Sequence, residues 1–117
     1  MIPAVMNEPI LMKEGDTFNL SIKVTDSNGD PVDLTDRDIC MQLRYGAVSP
    51  VALELSTDNG MIVIDDNELQ LTVPNTDTKG LRGEYQFDLQ STYSGIVETI
   101  LSGRVQVIED VTYDCGG

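Results

Sequence analysis

Two long stretches of alternating apolar and polar side chains, both within residues 83–108, constrain the fold more than any other part of the sequence. In the first stretch Tyr85, Phe87 and Leu89 alternate with polar residues, which is the two-residue period of a β-strand with one buried face. A Tyr-Ser-Gly break separates it from the second stretch. Two alternating runs joined by a short glycine-containing turn predict an antiparallel hairpin, and we expect the other strands to pack around it.

The same alternation predicts which side chains form the core. Gly103 falls on the apolar face of the second run, where the missing side chain predicts a β-bulge or a close crossing of strands. The residues predicted to be largely buried are Phe18, Leu20, Ile22, Leu43, Leu53, Leu71, Tyr85, Phe87, Leu89, Leu101, Val105 and Val107.

Turn signals divide the rest of the chain into short strands. Asn28-Gly29 supplies the positive φ angles that a tight turn needs, and only residues 74–81 have room for a helical turn, with Asn75 or Thr76 as its cap and Gly80 at its end. Seven to nine strands with turns every 8–12 residues predict an all-β fold, an antiparallel β-sandwich of immunoglobulin-like type.

One domain accounts for the 117 residues, since a chain of this length forms a single core. We assign residues 10–110 to the β-sandwich domain, residues 1–9 to an N-terminal arm and residues 111–117 to a C-terminal tail. Two prolines and no clean period leave residues 1–9 open to two interpretations, an edge strand or an arm that lies on a neighbouring protein. The candidate partner-binding residues at the two ends are Ile2, Val5, Met6, Val111 and Tyr113.

The composition argues against several classes of function. A formal charge of −13 repels phosphate backbones and anionic lipids, so we expect neither nucleic-acid nor membrane binding. The absence of histidine removes the commonest general base and metal ligand, and we expect no enzymatic activity, no catalytic residues and no cofactor. The acidic loop at residues 26–30 departs from the calcium-loop pattern in the positions of its glycine and its final glutamate, so we expect no metal site.

The two cysteines predict no disulfide framework. Cys40 lies in an apolar run and is expected to be a small buried hydrophobe, whereas Cys115 in the tail is expected to be exposed; a disulfide between them is the alternative. The sequence has no signal-peptide pattern and no apolar run of membrane-spanning length. We therefore expect synthesis in a reducing cytoplasm.

Seven short phrases made of strand and turn residues are spread over nearly the whole chain: KEGDTF (13–18), DSNGDPVDLT (26–35), ICMQLR (39–44), LELSTDNG (53–60), YQFDLQ (85–90), LSGRVQV (101–107) and DVT (110–112). Together they resemble a family of small β-sandwich proteins encoded in tailed-bacteriophage genomes. The first two phrases are similar to that family's opening pattern R-x-G-D-T followed by D-x-x-G-x-P-V-D-L-T-G. The chain departs from this pattern at Asp36, where the family commonly has glycine.

The resemblance implies a virion accessory protein, an immunoglobulin-like module of the head, neck, tail or baseplate, or a capsid decoration. It implies neighbouring virion proteins as partners, a homo-oligomeric or symmetric arrangement in the particle, and a location in the virion after synthesis in the bacterial host cytoplasm. It implies no catalytic residues. The alternative is a host-surface or carbohydrate recognition module used in adsorption, which is expected to carry clustered exposed aromatic residues.

Overall fold

The structure is a computed structural model that describes residues 4–5, 8–46 and 48–109. Within these residues lie nine strands and one short helix, α1 (Asn75–Thr78). The strands are β1 (Ala4–Val5), β2 (Ile10–Lys13), β3 (Phe18–Lys23), β4 (Asp38–Arg44), β5 (Leu53–Ser56), β6 (Ile62–Asp65), β7 (Glu68–Val73), β8 (Gly83–Tyr93) and β9 (Ile96–Ile108).

The strands form two sheets of unequal size, which confirms the prediction of an all-β, two-sheet architecture. In the large sheet the order is β5-β4-β8-β9, and β1 and β2 follow one another along the other side of β9, both parallel to it. In the small sheet the order is β3-β7-β6. Buried side chains from both sheets form one hydrophobic cluster between them.

The β8–β9 hairpin is the longest unit of the fold, as its alternation predicts. Ser94 and Gly95 connect its strands with φ angles of 51° and 80°, and a two-residue turn with both φ angles positive matches the right-handed twist of the strands. The register shifts once, between Leu89 and Gln90, so that Ile100 has no partner on β8. The bulge therefore lies at Ile100, and Gly103 pairs regularly with Phe87.

Seven of the twelve predicted core residues are buried, among them Leu43, Phe87 and Val105. The other five are only half-buried, which corrects the prediction: Phe18, Leu20, Ile22, Leu53 and Leu101. Three of these five lie on β3, which is an edge strand of the small sheet. Alternation identifies the inward face of such a strand, but an edge strand has a neighbour on one side only, so its inward side chains stay partly exposed.

The helical turn predicted within residues 74–81 is present but begins differently. Pro74 occupies the N-cap position without a side-chain cap, and α1 begins at Asn75, so neither Asn75 nor Thr76 caps it as predicted. Proline suits a helix start because the missing N–H has no intrahelical acceptor there. Thr78, the last residue of α1, is completely buried, and its Oγ1 accepts a hydrogen bond of 3.1 Å from the N–H of Gly15.

The long connection between β3 and β4 is held by local hydrogen bonds and by one buried leucine. The Oδ1 atom of Asp26 accepts hydrogen bonds from the N–H groups of Asn28 (2.9 Å) and Asp30 (3.0 Å). The predicted turn is therefore present, but only Gly29 has a positive φ (85°), whereas Asn28 does not. Leu34 is completely buried. Asp36 has a φ of 66°, so it adopts the left-handed conformation in which glycine is most easily accommodated.

Candidate protein-binding surface

The outward-facing side chains of the large sheet form the widest continuous surface that the strands create. Because the inward positions of β8 are buried at Tyr85, Phe87 and Leu89, the alternate positions between them face solvent. The register extends this surface across β4 on one side and across β9 and β2 on the other. We call these outward-facing side chains of the large sheet the outer face.

A shallow depression of about 590 Å³ lies in the middle of the outer face. Residues of β4, β8 and β9 line it, and the two arginines among them are Arg44 and Arg104. The lining residues are Cys40, Gln42, Arg44, Gly46, Gln86, Phe87, Asp88, Gln90, Ser102, Gly103 and Arg104.

Hydrogen bonds link side chains along one flank of the depression. Gln42 donates from Nε2 to Oε1 of Glu54 (2.8 Å) and accepts at Oε1 from the Arg44 guanidinium (2.7 Å). Arg44 also donates to the backbone oxygen of Ser49 (2.7 Å). The Arg44 guanidinium is therefore held in one position, and less side-chain entropy remains to be lost when a partner binds.

The opposite flank is formed by β8 and β9. Ser102 donates from Oγ to Oδ1 of Asp88 (2.7 Å), and Arg104 makes an exposed ion pair of 3.5 Å with Glu84. An exposed pair contributes little to stability, so Arg104 can exchange Glu84 for an acceptor on a binding partner at small cost.

The outer face is close to neutral although the protein is strongly acidic. It has four carboxylates and three cations, and hence a net charge of −1: Asp38, Glu54, Glu84, Asp88, Lys13, Arg44 and Arg104. The remaining −12 of the formal charge of −13 belongs to residues elsewhere in the sequence. An approaching acidic protein therefore meets less repulsion here than the overall charge implies.

Three aliphatic side chains are exposed on the outer face: Leu11 (58 %), Ile108 (45 %) and Val97 (60 %). Leu11 and Ile108 lie close together, because Leu11 pairs with Gln106 and the neighbouring Lys13 pairs with Ile108. Val97 lies at the other end of β9. Exposed aliphatic residues beside oriented polar groups are typical of surfaces that bind proteins.

The Cys40 thiol on the outer face is not poised for nucleophilic chemistry. Cys40 is half-buried on it and not fully buried as expected, and its Sγ lies 3.7 Å from Oε1 of Glu54. Burial, followed by the negative charge of Glu54, raises the pKa of the Cys40 thiol. The thiol is therefore protonated at neutral pH, and a protonated thiol is a poor nucleophile.

The two exposed tyrosines in the described part of the chain, Tyr45 and Tyr93, make contacts within the protein. The ring of Tyr45 stacks on that of Tyr85 at a centroid distance of 4.5 Å, and its hydroxyl donates to the backbone oxygen of Arg82 (2.7 Å). The guanidinium of Arg37 lies 5.6 Å above the ring of Tyr93. Each of these exposed tyrosines already has one ring face occupied.

In the described part of the chain, no cluster of three or more histidine, cysteine or acidic residues has metal-binding geometry. Over the same residues, no helix has the length and apolar composition needed to cross a membrane.

The partner-binding residues predicted at the two termini fall mostly outside the described residues. Ile2, Met6, Val111 and Tyr113 lie there. The backbone of Val5 pairs with Ser102 of the same chain, so this part of the first nine residues forms the edge strand that was one of its two interpretations. The sequence reasoning did not identify the outer face, although its signal was present in the polar half of the alternation that predicted the core.

Compared with known proteins, the chain matches no protein-family model and has no significant match among curated proteins.

Proposed function

We propose that this chain is a non-enzymatic structural component of a tailed-phage virion, and that it binds neighbouring virion proteins through the outer face of its large sheet. The proposal includes a tail, baseplate, neck or capsid-decoration position and a symmetric arrangement of copies. The resemblance over nearly the whole chain supports it, as does the two-sheet architecture. The outer face adds a surface suited to stable contact with proteins.

We also propose that the fold is of the immunoglobulin-like type. The strand orders support this assignment, because one sheet contains β5, β4, β8 and β9 in that order with a parallel N-terminal strand beside β9, and the other contains β3, β7 and β6. Immunoglobulin-like sandwiches place the second, fifth and fourth main strands in one sheet and the third, sixth and seventh in the other. If β1 and β2 together are counted as the first main strand and β5 as an added one, β3, β7 and β6 are the second, fifth and fourth main strands, and β4, β8 and β9 are the third, sixth and seventh.

The observation that carries the functional proposal is the contrast between the outer face and the rest of the molecule. A chain with a charge of −13 has most of its surface unsuited to acidic partners, but the outer face has a net charge of −1 and three exposed aliphatic side chains. Permanent contacts between proteins bury apolar groups and pair polar groups across the interface. The outer face has exposed apolar side chains that a partner can bury and polar side chains that a partner can pair with.

The alternative, a carbohydrate or host-surface recognition module, receives less support. Sugar-binding surfaces use free aromatic rings as stacking platforms. Tyr45 and Tyr93, two of the tyrosines considered for this role, each use one ring face for a contact within the chain.

Mass spectrometry of purified phage particles tests the proposal directly. We expect the chain in the particles at a copy number comparable to that of known structural proteins. Its absence from particles, in a lysate that contains the chain, would falsify the proposal.

Complementation with surface variants tests the role of the outer face. We expect Leu11→Asp combined with Ile108→Asp to prevent incorporation into particles while the purified variant stays folded. The matched control is Val63→Asp, which introduces a carboxylate at an equally exposed position (53 %) on the outward side of the small sheet. Equal incorporation of both variants would exclude the outer face as the attachment surface.

The predicted N-terminal contact is tested by deleting residues 2–8. We expect a folded protein, because the part of the deleted segment that the structure describes contributes two backbone pairs, those of β1, at the edge of the large sheet. If residues 1–9 also contact a neighbour, incorporation falls although folding is retained. Normal incorporation of the truncated protein into particles would show that residues 1–9 are not needed for attachment and that other surfaces provide it.

A further inference from the structure

Strand β3 has an open edge along its whole length. Within residues 4–5, 8–46 and 48–109 it pairs with β7 only. It has six residues, whereas the other edge strands have two (β1) or four (β2, β5 and β6). It contains neither proline nor a bulge, which are two of the features that protect such edges, and its single charged residue is Lys23 at the end of the strand.

The direction of the backbone groups on β3 follows from its neighbours. The N–H of Thr72 on β7 donates to the oxygen of Met61 (2.9 Å) on the β6 side, so the polar groups of Leu71, the next residue along β7, face β3. Leu20 pairs with Leu71, and hydrogen-bonded pairs alternate with non-hydrogen-bonded pairs in an antiparallel ladder. The N–H and C=O groups of the alternate β3 residues therefore point to the open edge: Asn19, Ser21 and Lys23.

The inward side chains of β3 are incompletely covered along the same edge. Phe18, Leu20 and Ile22 alternate regularly inward but are only half-buried, unlike the buried inward residues of β7. An additional strand beside β3 satisfies the open backbone groups and covers these side chains together. This is the arrangement used in strand addition to a sheet edge.

The charges on β3 favour a second copy of β3 as the added strand. Residues 17–25 contain no carboxylate, and Lys23 is their single charge. If two copies of β3 pair antiparallel about a two-fold axis at Ser21, Lys23 of each copy lies opposite Asn19 of the other, and Leu20 lies opposite Ile22. No like charges meet, and the apolar side chains of the two copies cover each other.

We propose that two copies of this chain associate through β3, in an antiparallel pairing centred on Ser21, to form one continuous six-stranded sheet from their small sheets. The contact is isologous, as in most homodimers. It uses the small sheet and leaves the outer face of the large sheet free.

Disulfide trapping tests the pairing and its register. All variants carry Cys40→Ser and Cys115→Ser, and each then receives one new cysteine. Two Ser21 residues at the centre of a hydrogen-bonded pair have Cα atoms about 5.5 Å apart, which is within the range that a disulfide spans. We expect Ser21→Cys to give a cross-linked dimer under mild oxidation.

Two control positions share the outward side of the small sheet with Ser21. Gln70→Cys lies on the central strand β7 beside Ser21, and Val63→Cys lies on the opposite edge strand β6. We expect both to remain monomeric under the same oxidation. Cross-linking of Val63→Cys in place of Ser21→Cys would overturn the proposal.

Sedimentation of the purified full chain at micromolar to millimolar concentrations provides the second test. We expect a concentration-dependent dimer that tightens when salt is added, since salt screens the repulsion between two acidic chains. Ser21→Pro removes an N–H that points to the open edge, a place where an edge strand tolerates proline, and we expect loss of the dimer with retained β-sheet circular dichroism. A wild-type chain that is monomeric at all these concentrations, or a folded Ser21→Pro variant that dimerises as well as wild type, would contradict the pairing.

Discussion

Strands β8 and β3 have the same alternating pattern but differ in burial. Tyr85, Phe87 and Leu89 on β8 are all buried, with at most 4 % of each residue exposed. Phe18 and its inward neighbours on β3 are half-buried. Strand β8 lies between β4 and β9, whereas β3 has β7 on one side only in the described part of the chain. Alternation therefore determines the face of a side chain, and the neighbouring strands determine how deeply that face is buried.

The two strands are consequently held in place by different interactions. Strand β8 is paired along both edges, with β4 and β9, and its inward side chains are buried. Strand β3 is also anchored near its two ends, where the N–H of Gly15 donates to Oγ1 of Thr78 (3.1 Å) and the N–H of Val24 donates to the oxygen of Asn67 (2.8 Å). Hydrogen bonds at these positions offset part of the stabilisation that an edge strand loses because its side chains are less buried.

The largest expected effect is the difference in stability between alanine variants of two phenylalanines, one on β8 and one on β3. Phe87→Ala should lower the free energy of unfolding by about 3–5 kcal/mol, because Phe87 is only 4 % exposed and its truncation leaves a cavity in the core. Phe18→Ala should cost about 1–2 kcal/mol in the monomer, since part of the ring is in contact with water there. Denaturant titration of both variants, at protein concentrations where the chain is monomeric, measures the difference. Equal losses under these conditions would show that β3 is covered as completely as β8 within one chain.

The anchor at the start of β3 gives the next effect. Thr78→Val should cost about 1–3 kcal/mol, because it leaves the N–H of Gly15 without its acceptor in a partly buried position. Thr76→Val is the matched control in the same helix, and its exposed side chain predicts a change within about 0.5 kcal/mol. Denaturant titration compares them. If the two variants have the same stability, the hydroxyl of Thr78 does not hold β3.

A smaller effect is expected in the connection that leads from β3 to the large sheet. Asp36→Gly should raise the free energy of unfolding by about 0.5–1 kcal/mol, because glycine adopts the φ of 66° found there without steric cost. Asp38→Gly is the control, and it should be destabilising because this position is part of β4. Thermal denaturation at constant pH measures both. A loss of stability in Asp36→Gly would show that the aspartate side chain contributes more than its backbone strain costs.

The last prediction concerns the reactivity of Cys40 and is measured as a rate of alkylation. Because its pKa is raised by burial and by Glu54, less thiolate is present at mildly alkaline pH, and alkylation should be slower than in the unfolded chain. In a Cys115→Ser background, Glu54→Gln should increase the rate. Alkylation of Cys40 at the rate of the unfolded chain would show that the large sheet does not protect this side chain.

The sequence alone was sufficient for the all-β class, the β8–β9 hairpin and the inward face of most strands. These features depend on interactions between residues that are close in the chain, namely two-residue alternation and turn residues such as Gly95. The location of the bulge at Ile100 was not predicted, because a register shift depends on how two strands pair and leaves no mark in the alternation of either strand.

Which strands lie at an edge was decided only by the tertiary structure. Three features depend on residues that are distant in sequence. They are the half-burial of Phe18 and Leu20, the near-neutral outer face, and the hydrogen bond between Gly15 and Thr78. A residue's alternation depends on its immediate neighbours, whereas its burial depends on which strands the chain brings to either side of it. For this protein, the sequence by itself therefore determined the faces of the strands, and the order of strands in the two sheets determined which faces are covered and which are available for binding.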